Sequence, residues 1–180
     1  MNKAVEFLLH EHEHMQKVLS AFRKQLDTFE AAGDPDYEIL SESLAYCRDY
    51  LEQWHHPRED VMLEILQKRD PDKAAPLVEL EEQHKELARM TLRVVSVFRD
   101  VSERGAIHVR EDLVTTGGDL VSAYRNHIRW EETHFFPAVE EAFTPADWEE
   151  LDQRLKPAPD PLDRASLHSD YRNLLAAITG

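Results

Sequence analysis

Apolar residues recur along this chain at the three- and four-residue spacing of amphipathic helices, in four long stretches. The first stripe is Val5, Leu8, Met15, Leu19, Phe22 and Leu26, and Gly33-Asp34-Pro35 predicts its end. A second helix is predicted from about Tyr37 to Lys68, carrying Leu40, Leu44, Cys47, Leu51, Met62 and Leu66 and stopping before Asp70-Pro71. The third carries Leu77, Leu80, Leu87, Val94, Phe98 and Val101 and fades near Gly105; the fourth carries Leu113, Leu120, Tyr124, Phe135 and Ala138. Long helices with short connections favour antiparallel neighbours, so the expected fold is all-α, an up-down-up-down four-helix bundle over residues 1–143. Residues 144–180 are expected to add a C-terminal helical segment packed on the bundle. Its parts are a short helix from Ala146 to Leu155 anchored by Trp148, a proline-rich linker over 156–161, and a terminal helix from Asp163 to Ile178.

Polar residues interrupt these stripes in a regular way. His12 is the lone histidine on the first seam and His84 the lone histidine on the third. Helix two aligns His55 and Glu59 with Leu51 and Met62, and helix four aligns His127 and Glu131 with Tyr124 and Phe135. Residues four apart on a helix share a face, so each His-x-x-x-Glu projects an imidazole and a carboxylate together. His12 and His84, His55 and His127, Glu59 and Glu131, and Asp60 and Glu132 are each separated by 72 residues. The common offset implies a duplicated helix hairpin. One seam histidine alone reads as a hydrogen-bonded core residue, and one His-x-x-x-Glu alone as a solvated pair. Six residues that obey face, spacing and repeat together read as ligands converging on a metal pair, because a buried imidazole or carboxylate is costly without a partner.

The charge balance sharpens this reading. A formal net charge of −15 repels phosphate backbones and anionic headgroups, so nucleic acid and membrane surfaces are not expected partners, whereas cations are. No basic segment followed by an apolar run opens the chain, and no stretch approaches the roughly 20 apolar residues of a membrane span, so a cytoplasmic location is expected. The single cysteine, Cys47, excludes an internal disulfide and a cysteine-based zinc site.

The order His, His-x-x-x-Glu, His, His-x-x-x-Glu resembles the bacterial hemerythrin-like family of HHE cation-binding domains. The local wording agrees over roughly the first 140 residues: Leu9-His-Glu-His12-Glu-His-Met15, His55-His-Pro-Arg-Glu59-Asp60, and His127-Ile-Arg-Trp-Glu131-Glu132 followed by Phe135-Phe136-Pro137. The resemblance implies that His12, His55, Glu59, His84, His127 and Glu131 hold two non-haem iron ions, oxo- or hydroxo-bridged, with both glutamates spanning them. It also implies small-molecule partners: dioxygen, peroxide or nitric oxide. Oxygen-carrying hemerythrins place a second histidine four residues along the third helix, and here that position is Ala88. One nitrogen ligand is therefore missing, which favours redox turnover or sensing over reversible carriage.

Two placements are open for His56. Its face also carries Asp49, Gln53 and Asp60 and reads as solvent-facing, yet Pro57 removes a helix hydrogen bond and could turn His56 inward as a further ligand. His10 and His14 lie off the stripe and are expected in solvent, as are His108 and His168. His134 is expected to pack near the site or support its ligands, and Tyr124 to line the core or to hydrogen-bond a bound oxygen species.

Mixed imidazole and carboxylate donors suit iron ahead of manganese or zinc. Leu8, Met15, Leu51, Leu87 and Phe135 should form the apolar shell. Three functions are open: a di-iron protein, such as an oxidoreductase, that binds, senses or reduces a small oxidant; an iron-handling or iron- and oxygen-sensing module read by a protein partner; and a metal-free structural bundle.

Overall fold

A computed structural model describes residues 1–104, 107–155, 159–163 and 169–179, and no strand occurs among them. Helix α1 spans Lys3–Glu30, with the Asn2 side chain accepting from the Ala4 N–H at its start. Helix α2 (Tyr37–Ala45) is capped by Asp36, runs into a π-helical segment π1 (Tyr46–His55) and continues as α3 (His56–Arg69). A short α4 (Pro71–Ala74) and a 3-10 turn (Ala75–Leu77) lead into α5 (Leu80–Arg104), so the third long helix starts later than its Leu77 stripe predicts. Helix α6 (Ile107–Trp130), segment π2 (Glu131–Phe135) and α7 (Phe136–Ala142) form one continuous run.

Helix α8 (Pro145–Arg154) starts on a capping box in which Thr144 and Asp147 exchange side-chain and backbone hydrogen bonds. It packs on α3, with Trp148 against Phe143 at 4.7 Å between rings. Of the terminal helix expected from Asp163 to Ile178, the described part is a 3-10 turn at Ser169–Tyr171 followed by α9 over Arg172–Thr179, which packs on α1 and α2. The expected linker and the first turns of that helix lie largely outside the described residues. No described helix is long and apolar enough to cross a membrane.

A polar layer divides the core in two. One cluster holds Met15, Leu19, Phe22, Leu26, Leu44, Leu51, Leu87, Val94, Leu120 and Tyr124. The other holds Val5, Leu8, Met62, Leu66, Leu80, Phe135 and Val139. Each long helical run passes from one cluster to the other, and the candidate ligands occupy the crossing. Gly117 lets α6 approach α1 closely: a Cβ there would lie 2.8 Å from Leu26 Cδ1 and 3.2 Å from Phe22 Cε1.

Candidate metal centre

The two π segments shape the crossing. Pro57 and Pro137 lack an N–H, and their rings would collide with the carbonyl four residues earlier in a regular α-helix. Each run relieves this with a wider turn ending two residues before the proline: the His56 N–H donates to Leu51 O and the Phe136 N–H to Glu131 O. A wider turn advances each residue through a smaller angle, so neighbours can share a direction. His55 and His56 both point inward, at 0% and 2% exposure. Of the two placements open for His56, the solvent-facing one is therefore corrected. Its ring stacks on His84 at 4.2 Å and meets His127 edge-on at 5.5 Å.

All seven sequence candidates meet in the polar layer. One imidazole nitrogen or carboxylate oxygen from each of His12, His55, Glu59 and Glu131 lies within 4.8 Å of the others, and the same holds for His56, Glu59, His84 and His127. Glu59 belongs to both groups: Oε1 is 3.5 Å from His55 Nε2 and Oε2 is 3.4 Å from His84 Nε2. Glu131 spans them as well, with Oε2 3.3 Å from His12 Nε2 and Oε1 2.9 Å from His127 Nε2.

Four of the five histidines are oriented from outside the centre. His12 Nδ1 is 3.0 Å from Glu132, His55 Nδ1 2.9 Å from Glu11, His84 Nδ1 2.7 Å from Asp60, and His127 Nδ1 3.0 Å from Gln83. Engaging Nδ1 with an oxygen leaves Nε2 for the interior, the arrangement in which metal-ligating histidines are held. His56 Nδ1 lies 3.3 Å from Glu52 but without hydrogen-bond geometry.

These outer partners obey the duplication too. Glu11 and Gln83 are 72 residues apart, as are Asp60 and Glu132. The residue before each seam histidine holds the histidine of the following helix, and the residue after each of Glu59 and Glu131 holds a seam histidine. The 72-residue repeat carries this signal in the sequence itself, where Asp60 and Glu132 already match. The halves differ in charge: Gln83 is neutral, whereas the buried Glu11 also receives the Tyr50 hydroxyl and the Arg58 guanidinium at 3.1 Å. Burial still pushes the Glu11 carboxyl up to about 7, against the lowering effect of Tyr50 and Arg58.

The interior atoms show what the centre lacks within the protein. His12 Nε2, His55 Nε2, both nitrogens of His56, both oxygens of Glu59, His127 Nε2 and Glu131 Oε2 are buried without a hydrogen-bond partner. So many orphaned donors and acceptors at one point would be costly in an apolar core. Without a cation, charges must be shared among them. Burial disfavours charge on His12 and His84, but the nearby carboxylates of Glu131 and Glu132 raise His12 to about 10, and those of Asp60, Glu131 and Glu59 raise His84 to about 12. Burial and the nearby Glu131 raise Glu59 to about 8. Burial and neighbouring histidines hold His55 well below its usual value, and burial takes His56 down to about 4 despite Glu52. The donor set, its two sub-clusters and its orphaned atoms fit a pair of cations.

The remaining candidates fall elsewhere. Tyr124 is fully buried, and its hydroxyl lies 3.2 Å from Thr91 Oγ1. His134 is exposed beside Trp130 and Thr133 and does not support the centre. His14 is a correction: it is buried and bonded to Asp160 at 2.9 Å, because the C-terminal segment covers its side of α1. His10 is half exposed but also bonded, to Asp163 at 3.1 Å. The His108 side chain and all of His168 lie outside the described residues.

Comparison with known proteins agrees with this geometry. No curated protein and no solved structure gave a significant match. The model of the hemerythrin HHE cation-binding domain matches residues 3–139, which contain every residue of the centre. With most of its length matched and two His/Glu clusters able to hold metal, this chain belongs to the hemerythrin HHE cation-binding family.

Proposed function

We propose that the chain binds two non-haem iron ions and uses them to bind, sense or reduce a small oxidant such as dioxygen, peroxide or nitric oxide. The observation that carries this reading is the shared position of Glu59 between two ligand groups, reinforced by Glu131 across the same gap. His12 and His55 would serve one ion, His56, His84 and His127 the other, and the two carboxylates would bridge them. His56 then supplies the imidazole that Ala88 cannot. Imidazole mixed with carboxylate, rather than thiolate, favours iron.

Bound iron would supply the electrons and the open coordination positions that such chemistry requires. The protein's part is to position and to shield. Glu11, Asp60, Gln83 and Glu132 fix four imidazole rings, while Leu8, Met15, Leu51 and Phe135 keep bulk water from the centre. A groove of about 590 Å³ lined by Glu79, Gln83, Glu86, Leu87, His127 and Trp130 brings the outside to one edge of His127.

The alternating order of the two apolar clusters along successive helical runs supports an up-down-up-down bundle of two duplicated hairpins over residues 1–143, with 144–180 packed on it. Metal analysis joined to an optical spectrum tests the function. About two iron ions per chain are expected, with near-ultraviolet charge-transfer absorption that azide or peroxide alters. Failure to retain iron after anaerobic loading would overturn the reading.

A further inference from the structure

A second group of metal-ligating side chains lies on the opposite face of α1 from the centre. His10 and His14 sit one turn apart with ring centroids 4.5 Å apart. Asp163, from the C-terminal segment, approaches them, and one ligand atom from each of the three lies within 4.8 Å of the others. His10 Nε2 is 3.1 Å from Asp163 Oδ1, and both residues are partly open to solvent.

His14 is built as the ligand histidines are. Its Nδ1 is 2.9 Å from the carboxylate of Asp160, which is fully buried and also receives the Tyr46 hydroxyl at 3.0 Å and the Leu162 N–H at 2.8 Å. A carboxylate held this firmly fixes the ring and leaves Nε2 for another partner. An ion pair alone would need no oriented, buried second imidazole beside His10. Two imidazoles and one carboxylate with solvent on the remaining side form a three-ligand set of the kind that holds zinc and its neighbours with open positions.

We propose that His10, His14 and Asp163 form a separate mononuclear site for a divalent first-row transition-metal ion, which clips the segment carrying Asp160 and Asp163 onto α1. The site is independent of the pair proposed for the bundle interior.

Zinc titration of the iron-loaded full chain, with bound zinc and retained iron both measured, tests this. The wild type takes up one zinc equivalent without losing iron. His10→Ala and Asp163→Asn each weaken that uptake at least roughly tenfold while iron content stays unchanged, and His134→Ala leaves it intact. His10 is half exposed, and retained iron reports that its replacement leaves the bundle folded. No zinc uptake beyond the iron by the wild type, or full-affinity uptake by either His10→Ala or Asp163→Asn, overturns the proposal.

Discussion

The imidazole of His56 lies parallel to that of His84, with 4.2 Å between centroids and 8° between planes. Hydrogen bonds to acidic groups favour the charged form of His84, whereas burial keeps His56 neutral, so a cationic ring faces an uncharged one. Both rings face His127, at 5.0 Å from His84 and 5.5 Å from His56. On the two-iron reading, replacing His56 with alanine is expected to remove roughly half of the iron, by loss of one ligand from one of the two proposed sites. Metal analysis of the purified variant checks this; iron content equal to that of the wild type would make His56 a packing residue only.

Glu131 spans both groups, so Glu131→Ala should lose at least roughly half of the bound iron, and His55→Ala a similar share. Equal iron in these variants and in His134→Ala would remove the basis of the assignment.

Asp60 holds His84 Nδ1 at 2.7 Å. Asp60→Asn keeps an acceptor while losing the charge, and should weaken metal binding by about 10-fold, with Asp60→Ala nearer 100-fold. Competition against a chelator of known affinity measures the change. Unaltered affinity in both would show that ring orientation does not depend on this contact.

Metal loading should release protons. With no metal bound, the surrounding carboxylates raise His12 and His84 and burial raises Glu59, so all three favour their protonated forms. Ligation requires free Nε2 lone pairs and ionised carboxylates, so binding strengthens as pH rises and weakens as it falls. Calorimetric titration in buffers of different ionisation enthalpy counts the released protons. A buffer-independent heat would contradict this charge distribution.

The start of α8 depends on Asp147. Its hydrogen bonds to Arg69, helped by Thr144, lower its carboxyl to about 2 from 3.8. A carboxyl depressed in the folded state stabilises the fold above its unfolded value and loses that contribution as pH falls through the folded one. Asp147→Asn should thus cost about 1 kcal/mol at pH 7, and the gap from wild type should close between pH 3.8 and about 2. Urea unfolding at several pH values reads the difference directly.

Gly117→Val should destabilise the bundle by about 1–3 kcal/mol through overpacking against Leu26 and Phe22. Thermal unfolding measures this, and an unchanged midpoint would mean that α1 and α6 can separate without cost.

The sequence by itself determined the helices, the constant 72-residue offset and six of the seven residues that meet in the centre. Those features are periodic: an apolar stripe and a polar exception to it are both visible at the spacing of an α-helix, and a repeat shows itself by a constant offset. Only the tertiary structure decided what departs from that spacing. His56 turns inward because Pro57 forces a π turn, which shifts the phase of every residue near it, and a regular helical wheel misplaces it. His14 is buried because residues 160–163, distant in sequence, return to cover α1. Glu11 and Gln83 gain their roles from the helices they face, a relationship that no single stripe encodes.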